Sequence, residues 1–302
     1  HETWQMPTTN GPPVLSFFNG YIPENLPGVG TPDNPYLIAT PEDLGSMMYH
    51  DLYAHYQLVS DIDLTGIRWS MAIIPCFGGS FDGNNLCISN MVIQGNDYLG
   101  LFGFIIPPSD IYDLSLDDVN VVSPSGWGIG GLAGKLYNGA ITHCSCTGIV
   151  NGYRAVGGLV GQNAGSTSRC VSTCTVLGDR YVGGLIGYNS AGTVTDSYSH
   201  ASITGFDRVG GLVGSNNEGL VTRCYSISLV QGDNDVGGLV GYDYDGDCED
   251  SFWDTQTSGL NKSAQGIGLT TEWMQDINTY LDAGWDFDTV WTISDGNYPQ
   301  LQ

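Results

Sequence analysis

The chain is short of positive charge: 8 Lys and Arg stand against 32 Asp and Glu over 302 residues, a formal net charge of −24. Nucleic-acid binding depends on basic residues that displace counterions from phosphates, so a surface of this sign excludes it, together with electrostatic docking on anionic lipid. No stretch approaches the roughly 20 consecutive apolar residues of a membrane helix; the run from Leu99 to Pro108 is short and interrupted by glycine. Lysine and glutamate, two good helix formers, are scarce, whereas Gly, Thr, Tyr and Val are abundant, which predicts mostly β structure. Charged residues make up 13% and hydrophobic ones 41%, so the chain is not an acidic disordered polymer.

A chain of this length buries a sizeable core and does not depend on disulfides. Its eight cysteines are an even number. Cys76 and Cys87 flank the turn FGGSFDGNNL and are placed either to bridge it or to stay free; the other six lie within a repeat. The sequence begins at His1 with no Met and no basic segment, which fits a mature exported chain whose signal peptide has been removed, and predicts an extracellular or cell-surface location.

The repeat dominates the rest. GGLAG, GGLVG, GGLIG, GGLVG and GGLVG place their second glycine at Gly131, Gly158, Gly184, Gly211 and Gly238, a period of 26 or 27 residues, and YLGLFG around Gly100 is a degenerate earlier copy. Val156, Val182, Val209 and Val236 keep the same register, as do Gly139, Gly165, Gly192, Gly219 and Gly246. A unit this short, β-branched and punctuated by Gly and Asn/Asp turns, suits one coil of a solenoid and is too short for a propeller blade. The predicted fold is all-β: a parallel β-helix of about 27-residue coils with short helical or aromatic caps at both ends. Seven or eight coils between about Tyr56 and Trp253 would stack into a rod roughly 35–40 Å long at the usual strand spacing.

Stacking assigns roles by column. Cys144, Cys170, Ser197, Cys224 and Ser251 form a small inward column, and His143, Arg169, Asp196, Arg223 and Asp250 its outward neighbour. Arg154, Arg180, Asp207 and Asn234 form a second outward ladder, so these arginines read as ladder residues rather than substrate clamps. VGGLVG read as one continuous strand is apolar on both faces, and a strand of that kind is covered on both. The cover is either the C-terminal segment or another molecule, which makes Val209, Val213, Val236 and Val240 candidates for self-association.

Four segments follow. Residues 1–29 are an extended arm with five prolines and no core of its own, held by its own body or by a neighbour, with Val14, Leu15, Phe17 and Phe18 as its docking strand. Residues 30–95 are the entry cap and first coils; Thr40-Pro41-Glu42-Asp43 carries a capping threonine and a first-turn proline. Residues 96–258 are the repeats. In residues 259–302 a short helix begins at Thr271, and Trp285, Phe287, Trp291 and Tyr298 are expected to close the core.

GGLVGQN, GGLIGYN and GGLVGSN resemble the GLUG motif of bacterial surface and secreted proteins, and the flanks GTPDNPYLIATPEDL, SDIDLTG and AGWDFDTVWTISDGNYPQL resemble those that accompany it. The resemblance runs from about Gly28 to Leu301. It implies an extracellular β-solenoid used as an adhesion, surface or scaffold module, and implies no catalytic residue set.

The chemical candidates are few. Asp243, Asp245 and Asp247 in YDYDGDCED alternate around a turn like the first half of a calcium loop, without its later ligands; Ca2+ is the one cofactor they suggest, and a solvated acidic turn is the competing reading. Asn163, Asn189, Asn216 and Asp243 read as a turn ladder that satisfies backbone groups. Tyr188, Tyr198, Tyr225 and Tyr242 either stack on sugars or brace neighbouring strands, and Arg169-Asp196-Arg223 either cradles a polysaccharide or pairs along a ladder. The expected function is a non-enzymatic extracellular structural subunit that polymerises through its arm, its ends or its glycine-rich face. A polysaccharide-processing enzyme or carbohydrate-binding module, with glycans as partners, is the alternative.

Overall fold

A computed structural model describes residues 26–302 together with the backbone of two short strands, Trp4–Gln5 and Val14–Leu15. Within 26–302, about seven turns of chain wind into a parallel β-solenoid whose strands form one continuous ladder from Tyr36–Ile38 to Ile267–Leu269. One coil shows the plan. Arg180–Gly183, Ile186–Ser190, Thr193–Thr195, Tyr198–Ser199 and Ser202–Thr204 each pair in parallel with the segment 27 residues further on: Val182 with Val209, Ile186 with Val213, Asn189 with Asn216, Val194 with Val221, Tyr198 with Tyr225 and Ile203 with Val230. Identical register lets like side chains stack on like, which is why the sequence tolerates so little drift in its period.

Corners are made by residues in the left-handed region. His143, Arg169, Asp196, Arg223 and Asp250 have φ between 46° and 52°, and Ala155, Tyr181, Arg208 and Asp235 repeat the device at a second corner. Each such non-glycine residue costs on the order of 1 kcal/mol, offset here by the ladder it lets the chain re-enter. Arg223 also recovers part of it through a two-pronged bond to Asp196 at 2.8 and 3.0 Å.

The glycine segment differs from its sequence reading. It is two strands, Asp207–Gly210 and Val213–Asn217, broken by a bend at Gly211-Leu212. The bend lets Leu212 share the interior with Val209 and Val213. Val209, Val213 and Val240 are fully buried, Val236 nearly so, and all four belong to the interior cluster with the column Leu159, Leu185, Leu212 and Leu239. Each such burial is worth about 1.5–3 kcal/mol relative to exposure, and none of these valines is free for self-association. The glycine face is closed by the chain's own neighbouring strands, backbone on backbone, and not by the tail. A Cβ on Gly210 would lie 2.0 Å from the Val213 carbonyl oxygen and 2.6 Å from the Gly241 nitrogen, so only glycine permits the approach.

Both ends are closed. At the entry, helix α1 (Pro41–Ser46) begins with the capping box of Thr40 and Asp43 and inserts Leu44 into the core, followed by Met47. At the exit, α2 (Thr255–Ser258) starts on Asp254, and residues 259–269 wrap the last coil, with Ser263 Oγ accepting from Leu239 and Val240 N–H and Gly238 donating to Lys262. The aromatic tail does something else. With α3 (Thr271–Met274) and α4 (Ile277–Leu281) it lies on an outer flank, where Trp285, Trp291 and Tyr280 pack on Tyr198, Tyr225 and Phe252 as a separate cluster. Exit closure therefore falls to residues 259–269, and the tail shields one side. Val14–Leu15 pairs antiparallel with Trp4–Gln5, not with a solenoid edge; Phe17 and Phe18 lie outside the described residues.

Candidate functional site

Within residues 26–302 the interior is filled and both ends are capped, which leaves the outer flank as the surface to describe. The turn at Asn163, Asn189, Asn216 and Asp243 faces inward. Asn163 Nδ2 donates to Asn189 Oδ1 and Asn189 Nδ2 to Asn216 Oδ1, both at 2.8 Å, while Asn189 and Asn216 also donate to the Gly192 and Gly219 carbonyls. This is the backbone-satisfying ladder that the spacing predicts. Asp243 follows in the same register, and burial holds its carboxyl above the usual range. Asp245, with φ 52°, and Asp247 point to solvent. The three carboxylates of the expected calcium loop are thus split between the two sides of a turn, and among the described residues no group of three His, Cys, Asp or Glu side chains is arranged to hold a metal.

Other expected candidates are also absorbed by the fold. All eight cysteines are free thiols, Cys76 and Cys87 included. Cys144, Cys170, Ser197, Cys224 and Ser251 line the interior as the column predicts. Tyr198 and Tyr225 stack 4.8 Å apart beneath the tail, their hydroxyls donating to Gln300 and the Pro299 carbonyl, so neither is open to a sugar. Asp196 takes both prongs of Arg223 rather than leaving a carboxylate for catalysis, and the tail's Asp286 carboxyl is held low mainly by Thr289, with a minor contribution from Arg169.

One flank is different. The ladder sets Trp127 beside Arg154 and Arg154 beside Arg180. The Arg154 guanidinium lies between two rings, 5.2 Å from Trp127 and 4.7 Å from Tyr181, and donates to the Tyr181 hydroxyl at 2.9 Å. Arg208 also lies against Tyr181, at 5.1 Å from the ring and donating to its hydroxyl at 3.3 Å, and over Tyr242 at 4.0 Å, while Tyr188 stacks on Tyr181. The result is an alternating stripe of aromatic and guanidinium along the rod. Arg180 is neutralised by Asp207 at 2.6 Å, but Arg208 Nε lies 3.9 Å from the same carboxylate and Arg154 is within ion-pair distance of none among the described residues. The Nε atoms of Arg154 and Arg208 are buried without a hydrogen-bond partner. Beside them Trp127, Tyr153 and Phe206 are 40%, 49% and 51% exposed. Sequence reasoning counted Arg154 as a ladder residue and missed the stripe, although residues 127, 154, 181 and 208 recur every 27 positions.

A second feature is a cleft of about 580 Å³ near the entry, lined by Tyr53, His55, Ser80, Ser109, Asp110 and Asn138 among others. His55, Ser80 and Asp110 occupy consecutive rungs of one outward column. The serine stands between the other two, whereas a nucleophilic triad needs the histidine in the middle. Burial and the neighbouring Asp113 hold the Asp110 carboxyl above its usual range, which weakens it as the charged partner of an imidazolium.

This architecture is a capped parallel β-solenoid of about 27-residue coils. Within it, residues 178–204, one full coil, match the family model described as the GLUG motif. A crystal structure described as a "putative immunoglobulin A1 protease" from Bacteroides ovatus has the same fold, with a TM-score of 0.65, 20% identity, and 91% of this chain and 94% of that one covered. A "Putative Gly-rich membrane protein" of Evansella cellulosilytica is 43% identical over 54 residues, and "Halomucin" of Haloquadratum walsbyi is 34% identical over 147 residues. The matches cover 18% and 44% of this chain but 6% and 2% of those relatives' own lengths. No helix among the described residues is long and apolar enough to cross a membrane.

Proposed function

We propose that the chain is a non-enzymatic, surface-displayed solenoid module: a rigid spacer or scaffold that acts through its outer flank. The observation that carries this reading is the closure of both ends, with α1 seated on the first coil and residues 259–269 on the last. A solenoid closed in this way is a finished unit that can be set in series with others. Relatives many times its length, one named as a membrane protein, support the same reading. Incubation with immunoglobulin A1 and with a panel of polysaccharides, read by mass spectrometry for new chain ends, tests it. No products are expected; specific cleavage lost on mutation of His55 or Asp110 would overturn it.

Self-association belongs to this reading and would run through residues 1–25, because the valines are interior and the ends are capped. Electron microscopy of the intact chain and of residues 26–302 is expected to show polymers and monomers respectively. Polymers of the shortened chain would move the contact onto the solenoid, and monomers of both would remove polymerisation from the reading.

A further inference from the structure

We propose that the stripe of Trp127, Arg154, Tyr181 and Arg208 is a binding site for a uronic-acid oligosaccharide. This goes beyond the display reading and does not rest on it. The chain has 8 basic residues against 32 acidic ones, yet Arg154, like Arg68 and Arg169, has no carboxylate within ion-pair distance among the described residues, and of these three Arg154 is the one held against aromatic rings. Two of the rings that hold it in place, Trp127 and Tyr181, fix the plane of its guanidinium. Aromatic faces attract a guanidinium by about 0.5–2 kcal/mol depending on desolvation, and beyond the bonds of Arg154 and Arg208 to the Tyr181 hydroxyl, at 2.9 and 3.3 Å, they offer its N–H groups no acceptor. The Nε atoms of Arg154 and Arg208 are buried and closed to a ligand, which meets instead the part of each side chain that remains exposed. A planar carboxylate that accepts two parallel N–H bonds is the group matching a held guanidinium.

The rest of the ligand follows from the neighbours. Trp127, Tyr153 and Phe206 offer exposed ring faces along the same flank, and such faces stack on the C–H face of a pyranose. Arg154 and Arg208 are two rungs apart, roughly 10 Å at the strand spacing, which suits an extended polymer carrying repeated carboxylates rather than one small acid. The remaining charges on the flank select against denser polyanions: Asp207 is committed to Arg180, and Asp97 accepts from the Trp127 N–H at 2.7 Å, so the stripe gives a few fixed positive points within a negative field. A nucleic acid, with a phosphate at every nucleotide, is repelled overall.

Isothermal titration of the intact chain with a galacturonic-acid hexamer, with maltohexaose and with hexaglutamate as probes tests the site. Binding of the uronate hexamer alone is expected, weakening with salt. Arg154→Gln and Arg208→Gln should each weaken it about tenfold or more, the loss typical of one hydrogen bond to a charged group. Arg154→Lys, which keeps the charge but not the fork, should recover little, and Arg169→Gln at a different corner should bind as the parent does. Thermal unfolding of each variant separates loss of the site from loss of the fold. No uronate binding at millimolar concentration, equal binding of maltohexaose or hexaglutamate, or undiminished binding by a folded Arg154→Gln chain would each overturn the proposal.

Discussion

Replacing Asn189 by Asp probes the interior ladder without changing its shape. Asn189 is wholly buried, accepts from Asn163, and donates to Asn216 Oδ1 at 2.8 Å and to the Gly192 carbonyl at 3.0 Å. The carboxylate of Asn189→Asp keeps the acceptor and removes both donors. Each buried acceptor left unpaired costs about 1–3 kcal/mol, so the two together cost roughly 2–6 kcal/mol, before the further cost of desolvating the new charge. That is a large part of an ordinary domain's 5–15 kcal/mol. Burial should raise the pKa of the introduced carboxyl, and once protonated it regains one O–H donor. The penalty should therefore be greatest at neutral pH and shrink as pH falls through the raised value. Urea denaturation followed by tryptophan fluorescence at neutral and mildly acidic pH measures both effects, with an unchanged slope showing that the unfolded state is comparable. A neutral-pH loss under about 0.5 kcal/mol would refute the ladder's role, and a loss independent of pH would assign it to packing instead of to missing donors.

Asp243→Asn makes the converse change, extending the ladder by one amide. Because burial raises the native Asp243 carboxyl, its favourable contribution is complete below the unfolded value of about 3.9 and is lost as pH rises through the folded one; the substitution should abolish that slope and raise the neutral-pH melting temperature. Ala191→Gly, at an exposed corner with φ 56°, should stabilise by about 0.5–1 kcal/mol through relief of left-handed strain, whereas destabilisation would show that the corner is not strained. Under native conditions Cys76 should react with a thiol reagent first, Cys87 and Cys248 slowly, and the interior cysteines only on unfolding; burial pushes the Cys248 thiol up to about 12, and early labelling of Cys224 would contradict the described core. Asp254 accepts from Gln256 and Thr257 N–H and from the Thr271 and Tyr298 hydroxyls, so Asp254→Ala should cost about 2–4 kcal/mol and expose the tail to proteolysis; an unchanged digest would mean the aromatic cluster holds the tail unaided.

Much of the rod was legible in the sequence because stacking converts periodicity directly into contact. The spacing of Asn163, Asn189 and Asn216 and the small column from Cys144 to Ser251 are seen in the fold at the positions that their period gives them. The bend at Gly211-Leu212 was not legible, since alternation along VGGLVG describes an unbroken strand and a glycine pair conceals the corner that brings Leu212 into the same interior as the valines. The tail's position was equally hidden: aromatic composition announces a cap, but only the register of Tyr198, Tyr225 and Phe252 shows which surface it covers. The arginine stripe escaped because a 26-residue coil pairs Arg154 with Arg180, and the corner geometry then brings Tyr181 over it.

If function lies on the flank of this rod, the guanidinium groups of Arg154 and Arg208 should report it directly. The measurement is a titration of the isotope-labelled intact chain with the galacturonic-acid hexamer, following the arginine Nε–H resonances by nuclear magnetic resonance. Saturable shifts of Arg154 and Arg208, with Arg169 and Arg223 unmoved, are predicted. Binding that leaves both unmoved, or shifts spread over all four, would contradict it.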